Sequence, residues 1–383
     1  MPDITSQAVL DCLKTIKGPD LEGDLVSLGL VSPIMIDKGK VIFSITVPSD
    51  KTEQLEPMRL AAQKAVSELD GVTSAMVIFT AEHAGGSSSG QRPTASATPP
   101  KSAAPARSAE ARQAKNSAPV PGIKSIIAVA SGKGGVGKST TSVNLAISLA
   151  KLGQKVGILD ADIYGPSMPR LMGIKDQPTV NGKILSPLEG HGIKVMSMGF
   201  LVDEETPMIW RGPMVISALN QMLREVAWGN LDILVVDMPP GTGDAQLTMS
   251  QNVPLAGAVI VSTPQDIALI DARKGLNMFR KVDVPILGII ENMSTFICPK
   301  CGERSEIFGH GGARDEAERV GVPFLGEVPL HMAIRENSDS GTPIVTSEPD
   351  GPHAKIYTQI AKNVLEKLEG SGFESQAPSI TFE

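Results

Sequence analysis

The chain has 383 residues, 41% hydrophobic and 20% charged, with a net charge of −7. That length suits two domains with connecting sequence, and the apolar share can build a substantial core, which excludes a wholly disordered or fibrous chain. The acidic balance has the wrong sign for nonspecific phosphate-backbone binding, so no nucleic acid is expected as the main partner.

In chain order, Val9 to Ile16 has helical spacing, Val41, Phe43, Ile45 and Val47 alternate as a strand face, and Leu55, Met58, Ala62, Val66 and Leu69 recur as a helical stripe that Gly71 ends. Val72 to Phe79 reads as a further strand, giving a small α+β domain over residues 1–84 in which no cluster announces chemistry. Residues 85–121 are rich in Ser, Ala, Pro and Gly and predict a flexible linker. Arg92, Lys101, Arg107, Arg112 and Lys115 face one acid there, Glu110, so the rest of the chain is more acidic than the total.

From residue 122 to 369 the pattern becomes strand, turn, helix, repeated. Ile126–Ala130, Val156–Asp160, Ile233–Asp237, Gly257–Val261, Pro285–Glu291 and Pro323–Val328 are short apolar runs rich in β-branched residues. Near-continuous apolar strands between helices predict an α/β fold with a mostly parallel, doubly wound sheet, whose ligands sit beyond the carboxyl ends of the strands. An acidic tail, 370–383, follows.

Directly after the Ile126 strand stands Gly132-Lys133-Gly134-Gly135-Val136-Gly137-Lys138-Ser139-Thr140, a complete phosphate-binding loop opening a helix whose apolar residues Val143, Ala146, Leu149 and Ala150 share one face before Gly153. Glycines there turn successive N–H groups onto phosphate oxygens, Lys138 reaches the β and γ phosphates, and Ser139 offers its hydroxyl to Mg²⁺. Two further strands end in acids. Asp237, after four apolar residues, is the expected Mg²⁺ residue, and Asp160 and Asp162 are alternatives for metal contact or for orienting the attacking water. Lys133 is an additional charge that can act as an arginine finger does, from a neighbouring subunit, or stay a solvated lysine.

Cysteines number three: Cys12, Cys298 and Cys301. So few argue for a reducing compartment rather than a disulfide framework. An all-cysteine centre needs four thiolates, and the pair Cys298-Pro299-Lys300-Cys301 supplies two. A pair from each of two copies supplies the set, which suggests a homodimer bridging a [4Fe-4S] cluster. A mixed zinc site using His310 and a dithiol switch are the alternatives this spacing leaves open.

Taken together these residues resemble a known family. The loop with its extra lysine, Lys133 to Ser139, is similar to the deviant P-loop of the MinD/ParA class. Asp160-Ala161-Asp162 with Gly165-Pro166-Ser167, Asp237-Met238-Pro239-Pro240-Gly241-Thr242-Gly243-Asp244, Glu291-Asn292-Met293 and the cysteine pair resemble the Mrp (ApbC) iron-sulfur carrier ATPases over about Pro121 to Leu368. The resemblance implies an ATP hydrolase that dimerises, holds a labile cluster between two C-x-x-C motifs and delivers it to apo iron-sulfur proteins, working with cluster-assembly factors. It makes Lys133 the lysine that reaches across the dimer and Asn292 an adenine contact. Residues 1–84 resemble the small iron-sulfur-assembly domain often fused in front of bacterial members. That domain commonly shows Asp-Pro-Glu and a Cys-Pro after a strand, whereas this chain has Gly18-Pro19-Asp20 and Pro48-Ser49-Asp50-Lys51. No thiol chemistry is therefore expected in the first domain, and Cys12 reads as a buried helix residue.

Two competing functions follow from the same class. One is a positioning or partitioning ATPase cycling on membrane or DNA, for which Ile356, Ile360, Val364 and Leu368 with Lys355, Lys362 and Lys367 offer a helical stripe. The chain continues past it with acids and no base, so docking on the core is expected instead. The other is an iron-sulfur reductase resembling the nitrogenase iron protein. No apolar run nears the roughly 18 residues of a membrane span, and Met1-Pro2-Asp3 begins no secretory signal, so a soluble, cytoplasmic protein without a membrane partner is expected.

Overall fold

The computed structural model describes residues 4–16, 23–32, 34–37, 39–48, 52–82, 118–202 and 212–370. Gly18-Pro19-Asp20, Ser49 to Lys51, most of the expected linker (85–117) and nearly all of the acidic tail (371–383) lie outside them. The chain divides into two compact units, Met1–Ala118 and Pro119–Glu383.

In the first unit, strands β1 (Met35–Asp37), β2 (Lys40–Pro48) and β3 (Ser74–Glu82) form one sheet in that order. β1 runs antiparallel to β2, while β3 is parallel to it and is reached through the helix Thr52–Ser67. The alternating Val41, Phe43, Ile45 and Val47 meet Met58, Ala62 and Val66 of that helix and Val9 and Leu13 of the helix Ser6–Leu13 in one core. Cys12 is half-buried rather than buried, and desolvation, with Glu68 nearby, pushes its thiol above the ordinary range.

The second unit is built on β4 (Ile123–Ala130), β5 (Val156–Asp160), β8 (Leu188–Gly190), β9 (Ile193–Ser197), β10 (Leu231–Asp237), β11 (Gly257–Ser262), β12 (Ile286–Ile297), β13 (Arg304–Ser305) and β14 (Phe324–Leu330); β6 (Val180–Asn181) and β7 (Ile184–Leu185) make a separate small hairpin. The large sheet has the order β13-β12-β11-β4-β10-β5-β9-β8, with β14 also on β12. Its pairs from β14 through β12, β11, β4, β10 and β5 to β9 are parallel, and β8 and β13 close the edges antiparallel. Every residue of β5 and of β11 is buried, as expected of strands covered on both faces. All six expected strands form, and β12 runs six residues beyond its expected end at Glu291. β9 went unanticipated, because its five residues Ile193–Ser197 are a short run that Lys194 interrupts and Ser197 ends.

The helix Lys138–Lys151 lies in the middle of the unit, with Val143, Leu145, Ala146, Ile147 and Leu149 all buried. Against it packs the helix Pro352–Gly370, whose Tyr357, Ile360, Ala361, Val364 and Leu368 join the same core. The stripe that could have met a lipid surface is thus spent on the protein interior. Among the described residues no helix is long and apolar enough to cross a membrane.

Candidate functional site

β4, β5 and β10 are neighbours, so the phosphate loop after β4 and the acids closing β5 and β10 arrive side by side, with Asp160 and Asp237 in direct register. The loop's glycines serve two different ends. At Gly134 and Gly135 an added Cβ would meet nothing within 4 Å, which leaves that face open to a ligand. At Gly132 it would stand 2.1 Å from the Asp271 carbonyl carbon, and at Gly137 2.2 Å from Asn292 Nδ2, so these two are close approaches to the framework. Gly135 and Gly137 also hold φ of 80° and 78°, the left-handed region that an L side chain resists.

Behind the loop the polar side chains lock together. Lys138 Nζ lies 2.7 Å from Asp237 Oδ2 and 3.1 Å from Ser139 Oγ, and Ser139 and Ser142 donate to the two Asp237 oxygens at 2.6 Å each. Asp237 is fully buried and Lys138 is 6% exposed, so the pair is held in a poorly screened interior. Thr140, half-buried, continues the first turn. Lys133 is half-exposed; among the described residues its ammonium has no hydrogen bond or ion pair, while its carbonyl accepts from Ser131 Oγ.

The two acids of the β5 loop are not equivalent. Asp160, 1% exposed, accepts from Asp162 N–H, Ser167 N–H, Met168 N–H and the Ser197 hydroxyl. Burial, then the neighbouring Asp237, raises its pKa to about 7. Asp162 is half-buried and accepts from Gly165 N–H at 3.3 Å. Burial raises it too, opposed by the Lys138 charge. Asp160 thus ties down the loop that presents Asp162.

The cysteine pair occupies the turn between β12 and β13. Cys298 N–H donates to Glu303 O and Gly302 N–H to Cys298 O, closing a tight loop on Gly302, whose φ is 75°. Cys298 is half-exposed and Cys301 exposed. The Cys298 thiol is held below the ordinary range by the N–H groups of Cys301 and Lys300 and by the Cys301 side chain, an arrangement that favours the thiolate. His310 does not join the cysteines. Its ring nitrogens group with Glu291 and Glu327, the one set of three such ligand atoms within 4.8 Å of one another among the described residues. Glu291 there is engaged by Gly311 and Ala313 N–H, and Arg304 stands 3.1 Å from the His310 ring. That arrangement is a charge network of the framework.

A phosphate loop, strand-end acids and an exposed dithiol on one sheet match a described family. Residues 122–365 match the model of the NUBPL iron-transfer P-loop NTPases, and residues 6–77 that of iron-sulfur cluster assembly proteins. The chain belongs to the iron-transfer P-loop NTPase family. An iron-sulfur cluster carrier protein of Synechocystis is 44% identical over 371 residues, which cover 95% of this chain and 98% of the relative. The iron-sulfur cluster transfer protein of Dictyostelium discoideum is 57% identical over 253 residues, 65% of this chain and 78% of the relative. A nucleotide-binding protein of Archaeoglobus fulgidus, solved in complex with ADP, is 42% identical with a TM-score of 0.54, covering 61% of this chain and 91% of that one.

Within this iron-transfer NTPase, two groups escaped the reading of the sequence. Ser142 sits three residues after Ser139 on the first turns of one helix and therefore on the same face, a spacing that could have exposed it. Ser197 comes from the unanticipated β9, and no sequence signal connects it to Asp160. Asn292, which the resemblance places against adenine, donates Nδ2 to Val136 O at 2.8 Å in this structure.

Proposed function

We propose that this chain, an iron-sulfur cluster carrier of that family, works as a cytoplasmic homodimer that holds a [4Fe-4S] cluster as cargo between two Cys298/Cys301 pairs and passes it to apo iron-sulfur proteins. The observation behind this reading is the solvent-facing turn that carries both thiols, with the Cys298 thiol held below the ordinary range: two ligands per chain, where a cubane needs four. An exposed site suits cargo that must leave. ATP is the nucleotide of the loop, with the Gly134 and Gly135 side taking the phosphates, Lys138 turning from Asp237 toward the β and γ oxygens, and Lys133 of one copy serving the site of the other. Asp162 orients the attacking water from the loop that Asp160 holds. Asn292, whose amide holds Val136 O, lies next to the adenine as the resemblance implies.

Mg²⁺ suits the donors present, since Ser139 Oγ and Asp237 Oδ2 are hard oxygen ligands held 2.6 Å apart. Bound there, it would neutralise charge building on the β and γ phosphates. Hydrolysis is coupled to cargo because the two nucleotide states differ in their affinity for the dimer geometry that completes the four-thiolate site.

Anaerobic reconstitution tests the cargo claim. The wild type is expected to take up iron and sulfide near four of each per dimer and Cys298→Ala almost none. Equal loading of both proteins, or an empty wild type, would sink the carrier reading.

A further inference from the structure

One strand joins the two sites. β12 passes under the phosphate loop at Asn292 and ends at the residue before Cys298. Asn292 is 7% exposed, and the close approach of Gly137 leaves its amide no slack. Immediately beyond it Met293 has a φ of 58°, the left-handed region, and pairing with β14 skips from Asn292 with Val328 to Phe296 with Leu330. β12 is therefore two segments. Up to Glu291 it is clamped between β11 and β14, and at Phe296 and Ile297 it pairs with β13 around the cysteine turn. Met293 to Thr295 form an irregular joint between the segments. The joint is occupied by a non-glycine residue in a conformation that such residues adopt at a cost.

Resting on the carrier reading above, we infer that Asn292 is a positioning residue through which occupancy of the phosphate loop sets the orientation of the Cys298/Cys301 turn. The peptide joining Val136 to Gly137 is trans, as is every peptide among the described residues, so Val136 O and Gly137 N–H point to opposite sides. Asn292 holds the oxygen, which aims the N–H away from β12 and toward the loop's ligand side. A phosphate accepting from that N–H polarises the peptide and strengthens the bond on its far side, as linked hydrogen bonds do. The nucleotide-bound loop thus grips Asn292 more firmly than the empty loop. The grip falls next to the joint, beyond which β14 is met again only at Phe296 and the chain pairs otherwise with the short β13, so the cysteine turn can shift between two settings about this point. Glu291, held by Gly311 and Ala313 N–H, keeps the preceding segment still, so movement is confined to the cysteine side.

Linkage makes this measurable, since a nucleotide that changes the hold on a cluster must itself bind differently with the cluster present. The full chain, cluster-free and anaerobically reconstituted, is titrated with Mg-ADP and with a non-hydrolysable Mg-ATP analogue. For the wild type we expect a ratio of dissociation constants between the two forms of about fivefold or more. In Asn292→Ala the ratio collapses to within twofold of one, whatever happens to each constant alone, and nucleotide no longer alters the rate at which a chelator strips iron. Met293→Gly, which relaxes the joint and keeps the Asn292 side chain, lowers the ratio as well and serves if the alanine variant does not fold. A purely structural role for Asn292 would weaken binding in both forms alike and leave the ratio unchanged. A wild-type ratio in Asn292→Ala, or a ratio of one in loaded wild type, overturns the inference while leaving the carrier intact. A wild type that takes up no cluster overturns both.

Discussion

Lys138 and Asp237 at the nucleotide loop are 6% and 0% exposed and satisfied by two serines, whereas Cys301 stands in solvent on a turn held by two backbone hydrogen bonds. The contrast suits what each region is proposed to handle. Phosphoryl transfer gains from charges fixed in advance, away from water, where they need no reorganisation. A cargo that must be surrendered gains from ligands a recipient can reach. The same sheet serves both because β4 and β10 end in the interior beneath the loop, while β12 runs on past its neighbours into an edge turn.

Substitutions should separate the two regions by their effect on the fold. The largest loss is expected from Lys138→Ala, which leaves Asp237 buried without its cation: about 3 kcal/mol of stability by chemical denaturation, with hydrolysis down by roughly 10² to 10³ in phosphate release. Normal turnover in that variant would refute the ATPase assignment. Asp160→Ala strands the Ser167 and Met168 N–H groups and the Ser197 hydroxyl and should cost about 2 to 3 kcal/mol. Asp162→Asn, by contrast, should change stability by less than about 0.5 kcal/mol while lowering hydrolysis. If the two behave alike, the division between a loop anchor and a water-orienting residue is wrong.

Next comes Glu316, which joins the helix Asp266–Lys281 behind Gly132 to the helix Gly312–Val320 capped by Glu291. Hydrogen bonds and charge from Arg273, then Arg319, hold its carboxyl down to about 2 against an ordinary value of 4.5. A depressed acid stabilises the fold above its unfolded pKa and loses that contribution as pH falls through the folded one. Glu316→Gln should therefore lower stability by about 1 kcal/mol at pH 7. The gap to wild type should shrink between pH 4.5 and 2 in acid titrations followed by circular dichroism. A gap that widens on acidification would show that another interaction dominates. The smallest effect belongs to Cys298→Ser, which should leave the melting temperature of the cluster-free protein within about a degree or two, as suits a half-exposed turn. A large drop would mean that the turn is part of the framework after all.

Much of this was legible in the residues because the relevant physics is local. The order Gly132 to Ser139 after an apolar strand dictates a phosphate loop wherever it occurs, since backbone N–H groups, a helix start and a lysine are all supplied within one turn. Asp160 and Asp237 announced themselves by ending apolar strands, and two cysteines three residues apart carry their own ligand count. Local patterning also placed the six strands, because burial on both faces demands unbroken apolar runs.

Tertiary structure alone decided which of these groups meet and how each is held. Ser197 lies 37 residues from the Asp160 it caps, and Asn292 lies 156 from the Val136 it binds, separations at which no periodicity operates. His310 shares a segment of chain with the cysteines but faces Glu291 and Glu327, because helix and strand directions, not sequence proximity, set where a side chain points. The amino-acid sequence determined the chemistry available to this protein. The parallel sheet, by bringing distant strand ends into one row, determined that β12, the strand leading into the cysteine turn, would run against the nucleotide loop.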